Sequence, residues 1–176
     1  FVCLSDKIQF GNETLNANGT RPTITITADN YDGLIVNGDG VTNGKNDIYV
    51  YNLIIDGTGY TTQVSAGWLG KQYFGKGASN NYIINCSSKG NIAGYGGGIL
   101  ARYAGTSSGS VNVIGCSSTG SISDAAGGIL GAGCENVTCS NCFSEGSISQ
   151  NSGGIFGQET VGTCSADKCY LSLIHI

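Results

Sequence analysis

Apolar and polar residues alternate over short stretches of this chain, and turn-forming residues interrupt each stretch. Residues 23–27 read Thr-Ile-Thr-Ile-Thr, and residues 48–55 alternate before becoming continuously apolar. Period-two runs of β-branched and aromatic residues predict strands, and the Gly, Asn and Asp residues between them predict tight turns. No segment keeps the 3.6-residue period of an amphipathic helix. The pattern therefore predicts an all-β protein with almost no helix.

The second half of the chain repeats one phrase, Cys-x-Ser-x-Gly-x-Ile, three times. The copies occupy residues 86–92, 116–122 and 142–148, and each is followed by Gly-Gly-Ile. A fourth copy opens at Cys169. A repeat of this length is typical of stacked units that share one core. With about three short strands and three turns per copy, it predicts a right-handed parallel β-helix, or β-solenoid, with one coil per copy.

Stacking of the coils makes specific predictions about the core. Neighbouring coils lie about 4.8 Å apart, so equivalent residues stack into ladders. Glycines 90, 120 and 146 are expected to provide positive φ at corners and close approach between coils. The predicted core ladder consists of two sets of isoleucines: Ile92, Ile122, Ile148, Ile99, Ile129 and Ile155.

We divide the chain into irregular N-terminal coils at residues 1–80 and repeat coils of the same solenoid at residues 81–170. Residues 171–176 resemble the in-frame translation of a transposon-based sequencing adaptor, so we expect a non-native tail there. This tail contains the only histidine, His175. The absence of methionine and the apolar opening, Phe-Val-Cys-Leu, predict a processed or incomplete chain.

The repeated phrase, with its following Gly-Gly-Ile, resembles the glycine-rich repeats called GLUG motifs over residues 81–170. Such repeats are similar to those of bacterial surface adhesins and of surface proteins of microbial eukaryotes and large viruses. The resemblance implies a parallel β-helix displayed at a surface, and it implies no particular activity. This chain departs from the commonest form because every copy carries a cysteine.

Composition narrows the classes of partner. Only 11% of residues are charged, the eight Lys and Arg residues are scattered, and the net charge is −4. A protein that neutralises phosphates needs a basic stripe, so nucleic acid is not an expected partner. No apolar run approaches the roughly 20 residues of a membrane-spanning helix, so no span is expected in this fragment.

Cysteines and glycosylation sequons together predict an extracellular location, on a cell or particle surface. The chain has eight cysteines, and an even number in a Ser- and Gly-rich chain is typical of an oxidising compartment. Four Asn-x-Ser/Thr sequons are candidate sites for N-glycans, although a chain rich in these residues also produces sequons by chance. The candidate asparagines are Asn12, Asn18, Asn85 and Asn136.

Two sets of cysteines are disulfide candidates. Cys86, Cys116, Cys142 and Cys169 occupy equivalent repeat positions, where neighbouring coils would bring their Cα atoms within the disulfide range. Cys139 and Cys164 each follow Thr and precede Ser, so a bridge between them is also expected. The alternatives are a row of small buried thiols and, less well matched by the spacing, a zinc site that uses the C-x2-C at residues 139–142.

Three further patterns bear on function. Residues 37–47 are rich in Asn-Gly and Asp-Gly pairs, which favour tight turns over the Ca²⁺ site they weakly resemble, so no cofactor is expected. The acidic residues fall mostly at turns, and we expect no catalytic site. Trp68 and Tyr73 belong to a cluster of aromatics that would form a glycan-stacking platform if exposed, although such residues more commonly fill a core.

These observations favour an extracellular structural protein, a subunit of a surface fibre or filament in which solenoids pack end to end or laterally. This hypothesis gains from the apolar opening of the chain and the interrupted fourth repeat, since uncovered coils expose sheet edges that pair with other chains. The alternatives are a glycan- or host-binding adhesin module and, third, a polysaccharide-active β-helix enzyme.

Overall fold

A computed structural model describes residues 1–172, and this part of the chain is all-β, with stacked coils that form a β-solenoid of about five turns. No helix occurs among the described residues. Twelve short strands form two sheets. They are β1 (Gln9–Gly11), β2 (Thr23–Thr25), β3 (Tyr49–Tyr51), β4 (Ile54–Thr61), β5 (Asn81–Ile84), β6 (Ser87–Asn91), β7 (Val111–Ile114), β8 (Ser117–Ser118), β9 (Val137–Ser140), β10 (Phe143–Glu145), β11 (Ser165–Asp167) and β12 (Tyr170–Ser172).

Each coil contributes one strand to each sheet, and all strand pairs are parallel. Sheet 1 has the order β1-β3-β5-β7-β9-β11, and sheet 2 has the order β2-β4-β6-β8-β10-β12. The third side of each coil is closed by single bridges rather than strands, as between Gly97 and Gly127 and between Leu100 and Leu130. The predicted three segments per coil are therefore present, and the third segment is the least regular.

Coil length changes along the solenoid without loss of register. Equivalent residues are 40 positions apart from Gln9 to Tyr49, 33 from Tyr49 to Tyr82, and 26 from Asn112 to Thr138. Strand β3 of the N-terminal coils pairs with β5 of the repeat coils, so the sheet is continuous across residue 80. Of the suspected tail, residues 171 and 172 belong to β12, and residues 173–176, including His175, lie outside the described residues.

The isoleucine ladders lie in register in the interior. Ile92 pairs with Ile122, and Ile122 pairs with Ile148. Ile99 donates its backbone N–H to Ile129, at 2.9 Å, and Ile129 donates to Ile155, at 3.1 Å. In both ladders the members from the first two repeats, Ile92, Ile99, Ile122 and Ile129, are fully buried. Ile148 and Ile155 in the last repeat are partly exposed. Burial of the four fully buried side chains contributes about 1.5–3 kcal/mol each.

The glycine of the repeated phrase is required by the distance between coils. A Cβ added at Gly120 would lie 1.6 Å from the carbonyl oxygen of Gly90, and one added at Gly146 would lie 2.2 Å from that of Gly120. Gly90 also has φ +127°, but Gly120 has no positive φ. The predicted positive φ therefore holds for Gly90 and not for Gly120, where close approach alone excludes a side chain.

The corner between sheet 1 and sheet 2 is formed by the residue that precedes each repeated cysteine or, in the coil before the repeats, the equivalent Leu53. These residues adopt the left-handed conformation, with φ of 55° at Asn52, 53° at Asn85, 62° at Gly115, 53° at Asn141 and 50° at Lys168. Asn and Gly tolerate this region better than other residues do. One left-handed residue turns the chain sharply between the strands and leaves the following cysteine pointing inward.

A column of serines also points into the core. Ser88, Ser118 and Ser144 are in register on sheet 2 and almost completely buried. Their hydroxyl groups have no hydrogen-bond partner. Their small size matches the Gly-Gly pair on the third side, since a Cβ added at Gly98 would lie 2.4 Å from Oγ of Ser118. The solenoid is narrow at this level because Ser and Gly face each other.

Candidate functional site

The repeated cysteines form an interior column of thiols. Cys86, Cys116, Cys142 and Cys169 immediately precede strands β6, β8, β10 and β12, which pair in register. The first three are fully buried, and Cys169 is partly exposed. Each buried thiol lies near a carbonyl oxygen of the preceding coil, at 3.5 Å between Cys116 Sγ and Ile83 O and 3.4 Å between Cys142 Sγ and Val113 O. All eight cysteines are free thiols in the structure.

Burial and neighbouring thiols shift the pKa values of these cysteines. The thiols of Cys116, Cys139 and Cys169, of which Cys116 has the largest effect, favour the thiolate of Cys142 and lower its pKa below the ordinary value. Burial raises the pKa of Cys116, and the neighbouring Cys142 raises it further. The pKa of Cys139 is raised first by the neighbouring Cys142 and then by burial. The shift at Cys142 is therefore opposite in direction to the shifts at Cys116 and Cys139.

The structure corrects one predicted cysteine pair. Cys139 pairs with Ala166 in sheet 1, so it is not equivalent to Cys164. The neighbour of Cys164 is Cys134, whose carbonyl oxygen lies 3.5 Å from Cys164 Sγ. The Thr-Cys-Ser match was misleading because the register of β9 and β11 places Thr138 opposite Ser165, two residues away from the sequence alignment. A bridge between Cys139 and Cys164 would require a shift of register.

Candidate metal ligands are used for local structure. No group of three or more His, Cys, Asp or Glu residues among residues 1–172 is arranged to hold a metal ion. In the Asn-Gly-rich segment, Asp39 accepts hydrogen bonds from the backbone N–H groups of Val41, at 2.8 Å, and Thr42, at 2.6 Å. These bonds, the one from Thr42 first, lower the pKa of Asp39. Asn37 is buried and donates to Lys45 and Asn81.

Trp68 does not form a glycan platform, because its side chain is fully buried. Its ring stacks on Tyr31, with ring centroids 5.5 Å apart, and Nε1 donates to the carbonyl oxygen of Gly90 at 3.2 Å. The indole occupies interior space left free by glycines: a Cβ added at Gly57 would lie 2.1 Å from it, and one at Gly90 2.4 Å. Trp68 is therefore a core residue, the more common of the two roles expected for these aromatics, and it does not contribute to a platform.

Tyr73 lies at the surface, but its ring faces are covered. One face stacks on Tyr103 of the next coil, with centroids 5.1 Å apart. The Lys76 ammonium lies over the ring, 5.8 Å from its centroid, and a Cβ added at Gly40 would lie 3.6 Å from the ring. Stacking along the solenoid axis presents ring edges rather than faces to solvent, and the same holds for Tyr49 and Tyr82, which stack 5.3 Å apart. A sugar that binds by stacking needs an open face, so Tyr73 does not supply one.

A cluster of aromatic and charged residues, which the sequence did not predict, surrounds Arg102. Its guanidinium lies 4.4 Å from the ring centroid of Tyr103 and 4.7 Å from that of Tyr95, and it pairs with Glu159 at 3.4 Å. Tyr95 and Tyr103 both have left-handed φ values, 60° and 65°. The available signal was the near-repeat of Lys-Gln-Tyr at residues 71–73 and Ala-Arg-Tyr at residues 101–103. This cluster joins three coils on the third side.

Two open grooves lie on the surface of the solenoid, one beside Tyr73 and one beside the corner at Asn52. One, of about 420 Å³, is lined mainly by polar side chains that include Asp32, Gln63, Gln72 and Tyr73; Asp32 forms an ion pair with Lys71 at its edge. The other, of about 540 Å³, lies between residues 12–21 and the corner of the coils. We call residues 12–21 the strap. Of the four sequons, those at Asn12 and Asn18 lie on the strap, whereas Asn85 and Asn136 lie on the coils.

Comparison with protein-family models, with curated proteins and with solved structures finds no match. Among the described residues, no helix is long and apolar enough to cross a membrane. The fold and the geometry of the coils are therefore the observations on which a functional proposal rests.

Proposed function

We propose that this chain is an extracellular structural protein, a subunit of a surface fibre or filament assembled by end-to-end or lateral packing of β-solenoids. The observation that carries the proposal is the uniform coil-to-coil contact. Backbone bonds join each coil to the next, as from Tyr82 to Ile48, at 2.8 Å, and from Ile129 to Ile155, at 3.1 Å. A further coil, from the same chain or from another copy, would repeat contacts that internal coils already make.

The use of chemically reactive residues also supports a structural role. Three of the four thiols of the cysteine column are buried, the tyrosines stack on one another, and Arg102 is held between two rings and a carboxylate. These groups stabilise contacts between coils. A rod in which side-chain ladders and backbone bonds both run along the axis resists bending and stretching, as a fibre subunit must.

The experiment is electron microscopy and sedimentation of the purified chain over a range of concentrations. We expect elongated particles whose length grows with concentration, and aligned fibres that diffract at about 4.8 Å along the axis. Compact monomers at all concentrations would contradict the proposal.

A proline variant tests the mode of packing. Val111 donates its N–H to Asn136 of the next coil, and Val113, two residues on, points the same way. Val113 pairs with Cys139, and Cys139 pairs with Ala166, so the three residues are equivalent in successive coils. The backbone N–H of Ala166 therefore points toward the place of an added coil, and Ala166→Pro removes this donor. We expect it to abolish end-to-end growth. The control, Val64→Pro, lies in a turn that accepts proline and should assemble normally.

A glycan-binding module is a second candidate, favoured by the polar groove. Asp32, Gln63 and Gln72 line it, and carboxylates and amides recognise sugar hydroxyls by hydrogen bonding without an open aromatic face. A glycan array that compares the wild type with Gln63→Ala and Asp32→Ala tests this. Binding that both variants lose supports the module, and no binding by the wild type rejects it.

A further inference from the structure

The strap is a separate feature of the solenoid, held against the coils through its backbone. It connects β1 to β2 and lies outside the coil. Nδ2 of Asn52 donates to the carbonyl oxygens of Asn12, at 2.6 Å, and Glu13, at 3.0 Å. The Tyr51 hydroxyl donates to the Glu13 carboxylate at 3.0 Å. These contacts fix the strap while its side chains at Asn12 and Asn18 remain exposed.

Both sequons of the strap have the same local geometry. Oδ1 of Asn12 accepts hydrogen bonds from the backbone N–H of Thr14, at 3.2 Å, and from its hydroxyl, at 3.1 Å. Oδ1 of Asn18 accepts from the backbone N–H of Thr20, at 3.1 Å, and from its hydroxyl, at 2.6 Å. In each case the hydroxyl two residues on polarises the amide, and Nδ2 makes none of the hydrogen bonds found among residues 1–172.

The other two sequons are built into the coils. Asn85 is itself exposed, but the serine that its sequon requires is not. Ser87, which completes the Asn85 sequon, is only 7% exposed, and its hydroxyl bonds to Ser117, at 2.8 Å, and to Arg21, at 2.7 Å. In the Asn136 sequon both amide atoms are used. Nδ2 donates to the carbonyl oxygen of Gly105 at 3.4 Å, and Oδ1 accepts from Thr163 at 2.9 Å.

We propose that the strap is an N-glycan carrier, modified at Asn12 and Asn18, and that Asn85 and Asn136 are structural and unmodified. The donor is an oligosaccharide linked to a lipid pyrophosphate. Nδ2 forms a bond to the anomeric carbon while the bond from that carbon to the pyrophosphate oxygen breaks. The lipid pyrophosphate leaves with the electron pair, and the amide proton passes to the transferase's base.

The inference rests on the extracellular location in the proposed function. It also limits which sides of the solenoid can pack laterally against another copy. Two glycans on one strap would cover the corner that carries Asn52 and the adjoining groove. Lateral packing between solenoids would then use the third side, around Arg102, where the nearby sequon is that of Asn136, which we assign as unmodified. End-to-end packing would be unaffected.

The experiment is translation of the full chain, behind a secretory leader, in microsomes that contain an oligosaccharyltransferase. Gel shift and intact mass before and after peptide N-glycosidase digestion count the glycans. We expect two on the wild type, one on Asn12→Gln and on Asn18→Gln, and none on the double variant. Asn85→Gln and Asn136→Gln should keep two.

Matched threonine variants show whether loss of a glycan follows from loss of the sequon or from a change in folding. Thr14→Ala and Thr20→Ala keep each asparagine but remove its sequon, so each should lose one glycan, whereas Thr14→Ser and Thr20→Ser should keep both. A glycan on Asn85 or Asn136, or an unmodified strap on imported chain, would overturn the assignment. The assay reports acceptor use whether or not the protein forms fibres, and microscopy of the enzymatically deglycosylated protein tests the fibre separately.

Discussion

Substitution of Gly120 by alanine is the sharpest test of how the coils stack. The added Cβ would lie 1.6 Å from the carbonyl oxygen of Gly90 and 2.5 Å from its carbonyl carbon. Ordinary contact between a Cβ and a backbone oxygen is about twice the first distance, so two coils would have to separate locally. Overpacking in well-packed cores costs about 1–3 kcal/mol. Because backbone blocks the Cβ here, we expect at least about 3 kcal/mol.

Two glycines provide matched controls for this substitution. Gly59 has φ +88° with nothing within 4 Å of an added Cβ, so Gly59→Ala tests backbone conformation alone and should cost about 1–2 kcal/mol. Gly40 has an ordinary φ and a nearest contact of 3.6 Å, so Gly40→Ala should be neutral or stabilising by up to about 1 kcal/mol. The three variants therefore separate coil spacing from backbone conformation.

The assay is equilibrium unfolding in urea under reducing conditions, monitored by circular dichroism, with the slope m compared between variants. Native domains have only about 5–15 kcal/mol of stability, so Gly120→Ala should shift the midpoint strongly or prevent folding. If Gly120→Ala unfolds within about 1 kcal/mol of Gly40→Ala, the stacking explanation is refuted. If it fails to fold while both controls fold, the explanation is supported.

Four further substitutions test other parts of the fold in the same assay. Ser118→Ala removes a buried hydroxyl without a partner and should stabilise by about 1 kcal/mol, whereas Ser87→Ala removes a bonded hydroxyl and should destabilise by a similar amount; the opposite order would contradict the assignment. Val64→Pro should stabilise by about 0.4–1 kcal/mol, because Ala66 donates to Gln63 at 3.0 Å around Ser65 at φ 66°, a type II turn; destabilisation would reject that turn. Burial raises the pKa of Cys134 from 9.0 to about 12, so its contribution, up to about 4 kcal/mol, is full below pH 9 and lost as pH rises toward 12; Cys134→Ala should flatten this decline, and an unchanged slope would exclude Cys134 as its source.

The repeated phrase was sufficient to predict the solenoid and the register of its ladders. A Cys, a Gly and an Ile at fixed spacing recur at each coil, and in the structure they lie above one another because strand spacing is constant. Prediction was less successful in the N-terminal half, where equivalent positions hold different residues. Gly67-Trp68-Leu69 is equivalent to Gly97-Gly98-Ile99, and the indole takes space left at Gly57 of its own coil and at Gly90 of the next coil. A large side chain that fills the space left by distant glycines cannot be recognised from one copy of the repeated phrase.

Surface features were the least predictable for a related reason. The rings of Tyr73 and Tyr103 are 30 positions apart in sequence and stack only because their coils are neighbours. The local cluster of aromatics left open a glycan-stacking platform beside the favoured core role, but axial stacking turns ring faces toward each other. The residues before the repeated cysteines could have been recognised, since Asn85 and Asn141 share the left-handed preference that the corner requires.

The tolerance of the coils to changes in length has a consequence for how such genes vary. Coils of 40, 33 and 26 residues keep the same pairing, because the additional residues are accommodated between strands. An in-frame duplication of one coil's coding segment would therefore insert a whole layer and lengthen the rod by about 4.8 Å. A deletion of one coil would shorten it equally. Recombination between repeats can thus change the reach of the molecule from the surface in fixed steps, without inventing a new contact.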